Sequence, residues 1–419
     1  MILVSLVLII LALLGAPLFA IIAAGALLSF ISINPDFGAA VPIEFFSIAE
    51  MPILSAIPLF TFAGYLLSES QAPARLVRLT SAVLGWMPGG LAIVSIAACA
   101  FFTAFTGASG VTIIALGAIL YPALSQAGYD DRFNLGLVTA SGSLGLLFAP
   151  SLPLILYGVV AGINIDDLFI AGVLPGLLML LSMSAWALWV NRGNRVPLSS
   201  FSWSEVGAAM LDSIWELPLP VIVLGGIYSG LLAVSEAAAV TAMYVLLVEV
   251  VIRREISLTR LPGIMRESMV LVGGILLILG ASLASTNFII DAEVPQQLIS
   301  IVTQYVDGRT SFLFALLIFL LILGAFLDIF SALVLIVPLI LPVAAEFGVD
   351  PIHLGMIFLA TMQLGYLTPP VGLNLFIASY RFNKSIVEVY LATFPFLLIL
   401  LATVVVIIFW PGLSLMLLK

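Results

Sequence analysis

Two short stretches put polar chemistry inside apolar surroundings. Residues 101–114 read FFTAFTGASGVTII, within a run that carries no charged residue from Leu91 to Tyr129. Residues 324–332 read GAFLDIFSA, where Asp328 is the one charge between Arg309 and Glu346. A carboxylate at such depth is costly, so Asp328 reads as a cation ligand, a solute contact or a proton carrier. Capping the helix that follows it is compatible with each of these roles. Two further stretches, GSLGLLFAPSLPL at 142–154 and QLGYLTPPVGLNL at 363–375, set Pro and Gly inside helical runs. Proline removes a backbone donor and displaces a carbonyl, so both helices are expected to unwind there. Freed carbonyls and hydroxyls suit a small hard cation such as sodium, and half-helix N-termini favour an anion. Candidate sodium ligands, largely through backbone oxygens, are Thr106, Ser109, Gly145, Phe148 and Pro150 in the first half. Their second-half counterparts are Gly324, Asp328, Gly365, Thr368 and Pro370. Ser109, Asp328, Gln363 and Asn374 are the candidate contacts for a polar solute; helix-to-helix hydrogen bonding is the other role open to Gln363 and Asn374.

Composition names the elements that must carry these groups. The chain of 419 residues is 63% hydrophobic and 8% charged, with a mean hydropathy of +1.30. That excludes a soluble core and describes an all-α polytopic membrane protein. A span needs about 20 apolar residues, so roughly ten or more spans are expected beside shorter broken segments. The alternation of barrel strands is absent. The first 31 residues hold no Lys or Arg and read as a first span, bent near Gly15 and Pro17, not as a cleaved leader.

Several classes drop out. Cys99 and His353 are the only residues of their kinds, so neither an internal disulfide nor a Cys/His metal cluster can form. Neither lysine, Lys384 or Lys419, follows a glycine, which excludes a Walker loop; pumping energy must come from an ion gradient or another subunit. The net charge of -9 reflects scarce bases and gives no reason to expect nucleic acid. An intramembrane serine protease remains a remote alternative: GASG at 107–110 has a nucleophile's spacing and His353 would serve as base. His353 is read, however, in a loop beside Asp350 and Pro351. Glu236, in SEAAAV, is read as a helix-start and packing residue, and the six tryptophans as interfacial belt residues.

An internal repeat organises the rest. Pro122, Gly128, Asp130, Ala140, Leu144, Gly145, Leu147 and Pro150 recur as Pro342, Gly348, Asp350, Ala360, Leu364, Gly365, Leu367 and Pro370, at an offset of 220 without a gap. Matches at Gly and Pro argue for duplication. Loop charge then tests orientation, because Lys and Arg concentrate in cytoplasmic loops. Residues 31–50 are acidic where 251–270 hold Arg253, Arg254, Arg260 and Arg266; 71–80 hold Arg75 and Arg78 where 291–300 are acidic; 161–170 are acidic where 381–390 hold Arg381 and Lys384. Two repeats of opposite topology account for all three reversals. Residues 1–200 form the first, with a re-entrant helical hairpin at about 91–125 and a discontinuous helix at about 133–160. Residues 201–419 form the second, with a hairpin at about 312–345 and a discontinuous helix at about 353–380.

These stretches resemble the large membrane (M) subunit of the tripartite ATP-independent periplasmic (TRAP) transporters. The resemblance runs through GWMPGGLA at 85–92, TGASGVTIIALG at 106–117, LFAPSLPLILYG at 147–158, SEAAAV at 235–240 and GYLTPPVGLNLF at 365–376. The chain departs at Ala149-Pro150, where the family often has Pro-Pro, and at Ala233-Val234, where it has Thr-Pro. The resemblance implies an elevator-type, sodium-coupled secondary transporter in the bacterial inner membrane. It would import a small organic anion, commonly a carboxylate, with a small membrane (Q) subunit of about four helices and a periplasmic substrate-binding protein as separate partners, within membrane lipid. Ser109 and Asp328 fall where that family contacts solute or ions. A two-hairpin sodium/carboxylate symporter that needs no binding protein is the alternative. No Lys or Arg lies between Leu91 and Asp131 or between Ser311 and Tyr380. A carboxylate is therefore expected to be met by helix N-termini, hydroxyls, amides and co-bound sodium, with Arg132 as the nearest rival.

Overall fold

The computed structural model describes residues 6–8, 10, 11, 14–87, 89–192 and 201–418. Part of the expected first span (residues 1–5, 9, 12 and 13), Pro88 of GWMPGGLA, the junction at 193–200 and Lys419 lie outside the described residues. Described elements are helical throughout, with no strand among them. Among the described residues, seven helices are long and apolar enough to cross a bilayer, or nine if each of two bent pairs is one span. Phe19–Ile33, Gly90–Thr106, Pro218–Tyr228 and Pro351–Gly365 are apolar but shorter. The expected ten or more are reached only with these, because Gly and Pro cut long apolar runs into pieces.

The chain makes two similar passages. In the first, α1 (Leu18–Ile33) precedes α2 (Ala56–Glu69) and the amphipathic α3 (Ala72–Leu84). Helix α4 (Gly90–Thr106) turns into α5 (Ser109–Ala115), which bends by 49° into α6 (Gly117–Gln126). Helix α7 (Asp131–Ser141) then passes through a 3-10 turn at Leu144–Leu147 into α8 (Leu152–Ala161), with a bend of 43°. α9 (Val173–Asn191) follows.

The second passage holds α10 (Val234–Leu246), the long α11 (Leu261–Asp291) and the amphipathic α12 (Val294–Tyr305). α13 (Arg309–Phe326) then turns into α14 (Ile329–Glu346). α15 (Pro351–Gly365) breaks before α16 (Leu373–Phe382), and α17 (Ile386–Phe409) closes the passage. Within the bundle α7 lies on α17, α13 on α15 and α8 on α14, while α2 packs on α10 and α11.

Geometry recurs at the offset of 220. Asp130 caps α7 by accepting from the N–H groups of Arg132 and Phe133, and Asp350 caps α15 by accepting from Ile352 and His353. Gly128 and Gly348 both take positive φ, +87° and +69°. Ala149–Pro150 and Pro369–Pro370 are both cis. The Asp350 cap with Pro351 at the first helical position starts α15 early, so His353 lies inside a helix, buried, and not in the loop expected for it.

α11 has two ends of different charge, the first beside the end of α2 and the second beside the short helix Ala40–Ser47. At one, Arg260 pairs with Glu69 at 3.1 Å; at the other, Asn287 Nδ2 donates to Glu44 Oε1 at 2.6 Å. Beside the first end the Arg75 side chain, 6% exposed, meets Glu216, Glu249 and Glu255, binding α3 to the segments before and after α10. Arg78, 45% exposed, pairs with Glu205 and Asp212. Removing a buried guanidinium leaves uncompensated carboxylates, so Arg75→Met is expected to cost about 3–5 kcal/mol. Arg78→Ala should leave the unfolding midpoint in detergent nearly unchanged, since exposed pairs contribute little.

Candidate functional site

Each break is settled by named groups. Gly107 ends α4 at φ +63°, a conformation glycine takes without a Cβ penalty, and its N–H donates to Thr103 O at 2.8 Å. Ser109 opens α5 and donates from Oγ to Asn374 Oδ1 at 2.7 Å, tying the first break to the start of α16. In the second break Asp328 is the N-cap of α14: Oδ1 accepts from the N–H groups of Phe330 and Ser331, both at 3.0 Å, and Oδ2 from Ser331 Oγ. The remaining first-turn donor, Ile329 N–H, is accepted by Tyr366 Oη at 2.8 Å. All three leading amides of α14 are thereby used, and the Tyr366 proton stays available as a donor.

Backbones approach closely where side chains are missing. A Cβ on Gly324 would lie 3.0 Å from Gly365 Cα, and one on Gly365 would strike the Gly324 backbone. Gly145 sits in the same way on α4, against Thr103 and Ala104, each 2.6 Å from its would-be Cβ. Gly372 N–H donates to Ala325 O at 3.2 Å, holding the second gap to the end of α13.

A cavity of about 220 Å³ lies where these breaks meet. α5 contributes Ser109, Gly110 and Val111, the second break Asp328, Ile329 and Phe330, and the gaps Leu146 and Tyr366. Leu373 and Ile377 come from α16, while Tyr65 of α2 and Leu271 of α11 close the far wall. Among the described residues, no Lys or Arg lines it. The amides of Ser109, Gly110 and Val111 find no protein acceptor among the described residues.

The expected residues divide into groups. Ser109 and Asp328 line the cavity, and Asn374 stands behind Ser109, fully buried, with Nδ2 unpaired. Thr106 is buried beside the first turn, its Oγ1 3.5 Å from Ala108 O. Gly324 and Gly365 touch each other behind Tyr366. Phe148 O accepts from Ser151 N–H at 3.0 Å, and the Phe148 ring fills the space left by Gly176 of α9. Pro150 lies buried in the first gap. Thr368 Oγ1 donates to Leu364 O at 3.0 Å, and the exposed Pro370 accepts from Tyr390 Oη at 2.6 Å. Gln363 turns to Met179 Sδ at 2.9 Å, a helix-to-helix contact away from the cavity. Arg132 is exposed at the start of α7.

The dyad required of a protease does not form. His353 has Ser414 Oγ at 3.0 Å from Nδ1 and Ile408 O at 3.2 Å from Nε2, while Ser109 is engaged by Asn374. A carbonyl only accepts, so Nε2 carries the proton and Nδ1 accepts from Ser414. Glu236 Oε2 accepts from Ala233 N–H at 2.9 Å, the helix-start role expected of it. Tyr366 and Tyr65 were not among the expected site residues; Tyr366 stands inside GYLTPPVG, but nothing in its spacing distinguishes it.

Residues 3–413 match the profile of the tripartite ATP-independent periplasmic transporter, DctM component. The C4-dicarboxylate TRAP transporter large permease protein DctM of Pseudomonas aeruginosa is 34% identical over 389 residues, covering 93% of this chain and 91% of that protein. The ectoine/5-hydroxyectoine TRAP transporter large permease protein UehC of Ruegeria pomeroyi is 34% identical over 415 residues, covering 98% and 97%. Among solved structures, the YdaH transporter of Alcanivorax borkumensis superposes with a TM-score of 0.59 over 90% of this chain and 88% of that one. At 14% identity that likeness is one of fold.

The contact between Gly324 and Gly365 yields a test. A methyl group on Gly365 must push two backbones apart, so Gly365→Ala is expected to cost about 1–3 kcal/mol. Gly225→Ala, where a Cβ meets nothing within 4 Å, should hold or raise the thermal midpoint, since Ala favours the helix.

Proposed function

Because the chain belongs to the family of the DctM component of the tripartite ATP-independent periplasmic transporters, we propose that it is a large permease subunit that imports a small organic anion across the bacterial inner membrane. On this reading it works with a small membrane subunit of about four helices and takes its solute from a periplasmic binding protein. Sodium drives uptake, and the block carrying the two breaks moves as an elevator against α2, α10 and α11. The names of the two relatives, one for C4-dicarboxylates and one for ectoines, support a small carboxylate-bearing solute.

Inverted repeats are supported by contacts between loops. The basic stretches 71–80 and 251–270 come together through Arg75 and Glu255, and Arg260 reaches Glu69, at one end of α11. The acidic stretch 31–50 reaches the opposite end through Glu44. The contact of Gly145 with Ala104 also maps, at an offset of 220, onto that of Gly365 with Gly324.

One observation carries the transport reading: among the described residues, the cavity holds a carboxylate, three hydroxyl-bearing residues and unpaired amides, and no base. An anion placed beside Asp328 is repelled unless a cation enters with it. Donors for the solute are the amides of Ser109 to Val111 and the hydroxyls of Tyr366 and Tyr65. The amides of α14 are excluded, because Asp328 and Tyr366 already hold them. Arg132 stands fourteen residues before Leu146, about 20 Å along the chain's axis at helical rise.

Proteoliposomes containing the permease and its small subunit test this, with radiolabelled succinate and ectoine as solutes and the binding protein added outside. Uptake is expected to require an inward sodium gradient and the binding protein. Asn caps a helix about as well as Asp, so Asp328→Asn should keep the thermal midpoint while uptake falls at least about tenfold, as loss of a charge contact worth about 1.4 kcal/mol or more would give. Arg132→Gln should transport as wild type. Uptake indifferent to sodium would refute the coupling, and uptake without the binding protein would favour the symporter that needs none.

A further inference from the structure

We propose that Arg381 is the residue that sets anion preference at the cytoplasmic mouth of the cavity. The inference rests on the transport reading above only for its biological meaning; the geometry is independent of it. α5 and α16 run side by side in the same direction: Ser109 bonds Asn374, a Cβ on Gly110 would lie 2.6 Å from Ile377, and Arg381 Nε–H donates to Ile114 O at 3.1 Å. On α16, Leu373 and Ile377 line the cavity and Arg381 continues their stripe, four residues on. Val111 lines it from α5, and Ile114 is the next position on that face. Arg381 thus straps α16 to α5 about 6 Å beyond the cavity's edge, one helical turn.

The position of that edge follows from the opposite wall. Tyr65 lies four residues before Glu69, and Leu271 five residues after Arg266, so both scaffold residues stand near the ends of α2 and α11 that carry the basic loops. Arg381 itself begins the basic stretch 381–390. By the concentration of bases in cytoplasmic loops, this is the inner side.

Arg266 of α11, exposed like Arg381, is followed directly by Glu267, whereas Arg381 stands on α16 itself with no acid beside it in the chain. Lys384 is neutralised by Asp131 at 2.7 Å and Glu388 at 3.3 Å, a pairing that holds its ammonium above the ordinary lysine range, chiefly through the Asp131 bond. Arg260 is paired with Glu69. Arg381 is exposed, held by a carbonyl, with no carboxylate within ion-pair distance among the described residues. A solute anion released inward along α16 from the cavity passes this guanidinium. Being fixed by Ile114 O, it presents charge at the rim without reaching into the cavity, where it would hold the anion back.

Thiol chemistry tests the electrostatics without any knowledge of the solute. Cys99, the single cysteine, is buried and gives little background. Ile377→Cys, in the intact permease complex in inside-out vesicles, is labelled with a sulfonate-bearing and a trimethylammonium-bearing methanethiosulfonate of similar size. A unit charge some 8 Å away in water-like dielectric alters each rate in opposite senses, so the anion-to-cation rate ratio is expected to fall about fivefold when Arg381→Gln is added. Arg381→Lys should restore it, and salt should erase the difference. A ratio unmoved by Arg381→Gln, or labelling only from the outer face, would overturn the proposal. Should Ile377→Cys fail to fold, Val111→Cys across the cavity gives the same reading. Transport failure in proteoliposomes would leave these ratios untouched, which separates the two hypotheses.

Discussion

Inside a bilayer, a backbone N–H or C=O deprived of its helical partner costs several kcal/mol. The chain interrupts its helices at two turns and two gaps, and the placement of everything near the cavity follows from how those groups are satisfied. The first turn closes on itself, Gly107 to Thr103. The second draws on two elements: Asp328 supplies two acceptor bonds from its own break, and Tyr366 reaches across from the other gap to accept Ile329 N–H. The gap after α15 in turn sends Gly372 N–H to Ala325. The second turn and the gap after α15 thus each depend on an atom of the other, and the bond from Ser109 to Asn374 ties the first turn to that same gap.

Close packing reinforces these ties. Where α15 ends, Gly365 rests on Gly324 with no side chain between them, and Gly145 rests on α4 in the same manner. Gly64 of α2 meets the first turn at Thr106, whose Cα would lie 2.6 Å from a Cβ there. Glycine is unfavourable within a helix by about 1 kcal/mol relative to alanine. Its use at these crossings trades helix propensity for backbone contact, which brings unpaired amides and carbonyls within reach of one another.

Much of this was legible in the residues. Gly and Pro inside apolar runs marked both turns and both gaps, and Asp328, alone in its run, marked the second turn and its cap. The Asp130 and Asp350 caps lie on the repeat that the Gly and Pro matches revealed. What escaped was set by partners distant in sequence. His353 looked like a loop residue because Asp-Pro precedes it, yet those residues start a helix. Gln363, polar and beside a gap, is taken up by Met179 of α9, a partner 184 residues away. Arg75 counted as a loop marker, but three glutamates 141 to 180 residues away bury it. Tyr366 and Tyr65 enter the site through orientation alone, which no spacing encodes.

The charge inventory of the cavity leads furthest. A site with a base at its centre would hold an organic anion whether or not a cation were present, and a carrier built that way would lack a reason to couple the two. Here the fixed charge is a carboxylate that has already taken up the leading donors of its own helix, so an anion gains neutral donors at that site and meets repulsion. Under the proposed function, a cation beside Asp328 removes the repulsion, and by linkage the anion raises the affinity for that cation by the same factor. Coupling then needs no dedicated relay: it follows from a cavity wall that holds no arginine or lysine among the described residues. With Arg381 a turn beyond the wall, as proposed above, that rule stays intact while the exit favours anions.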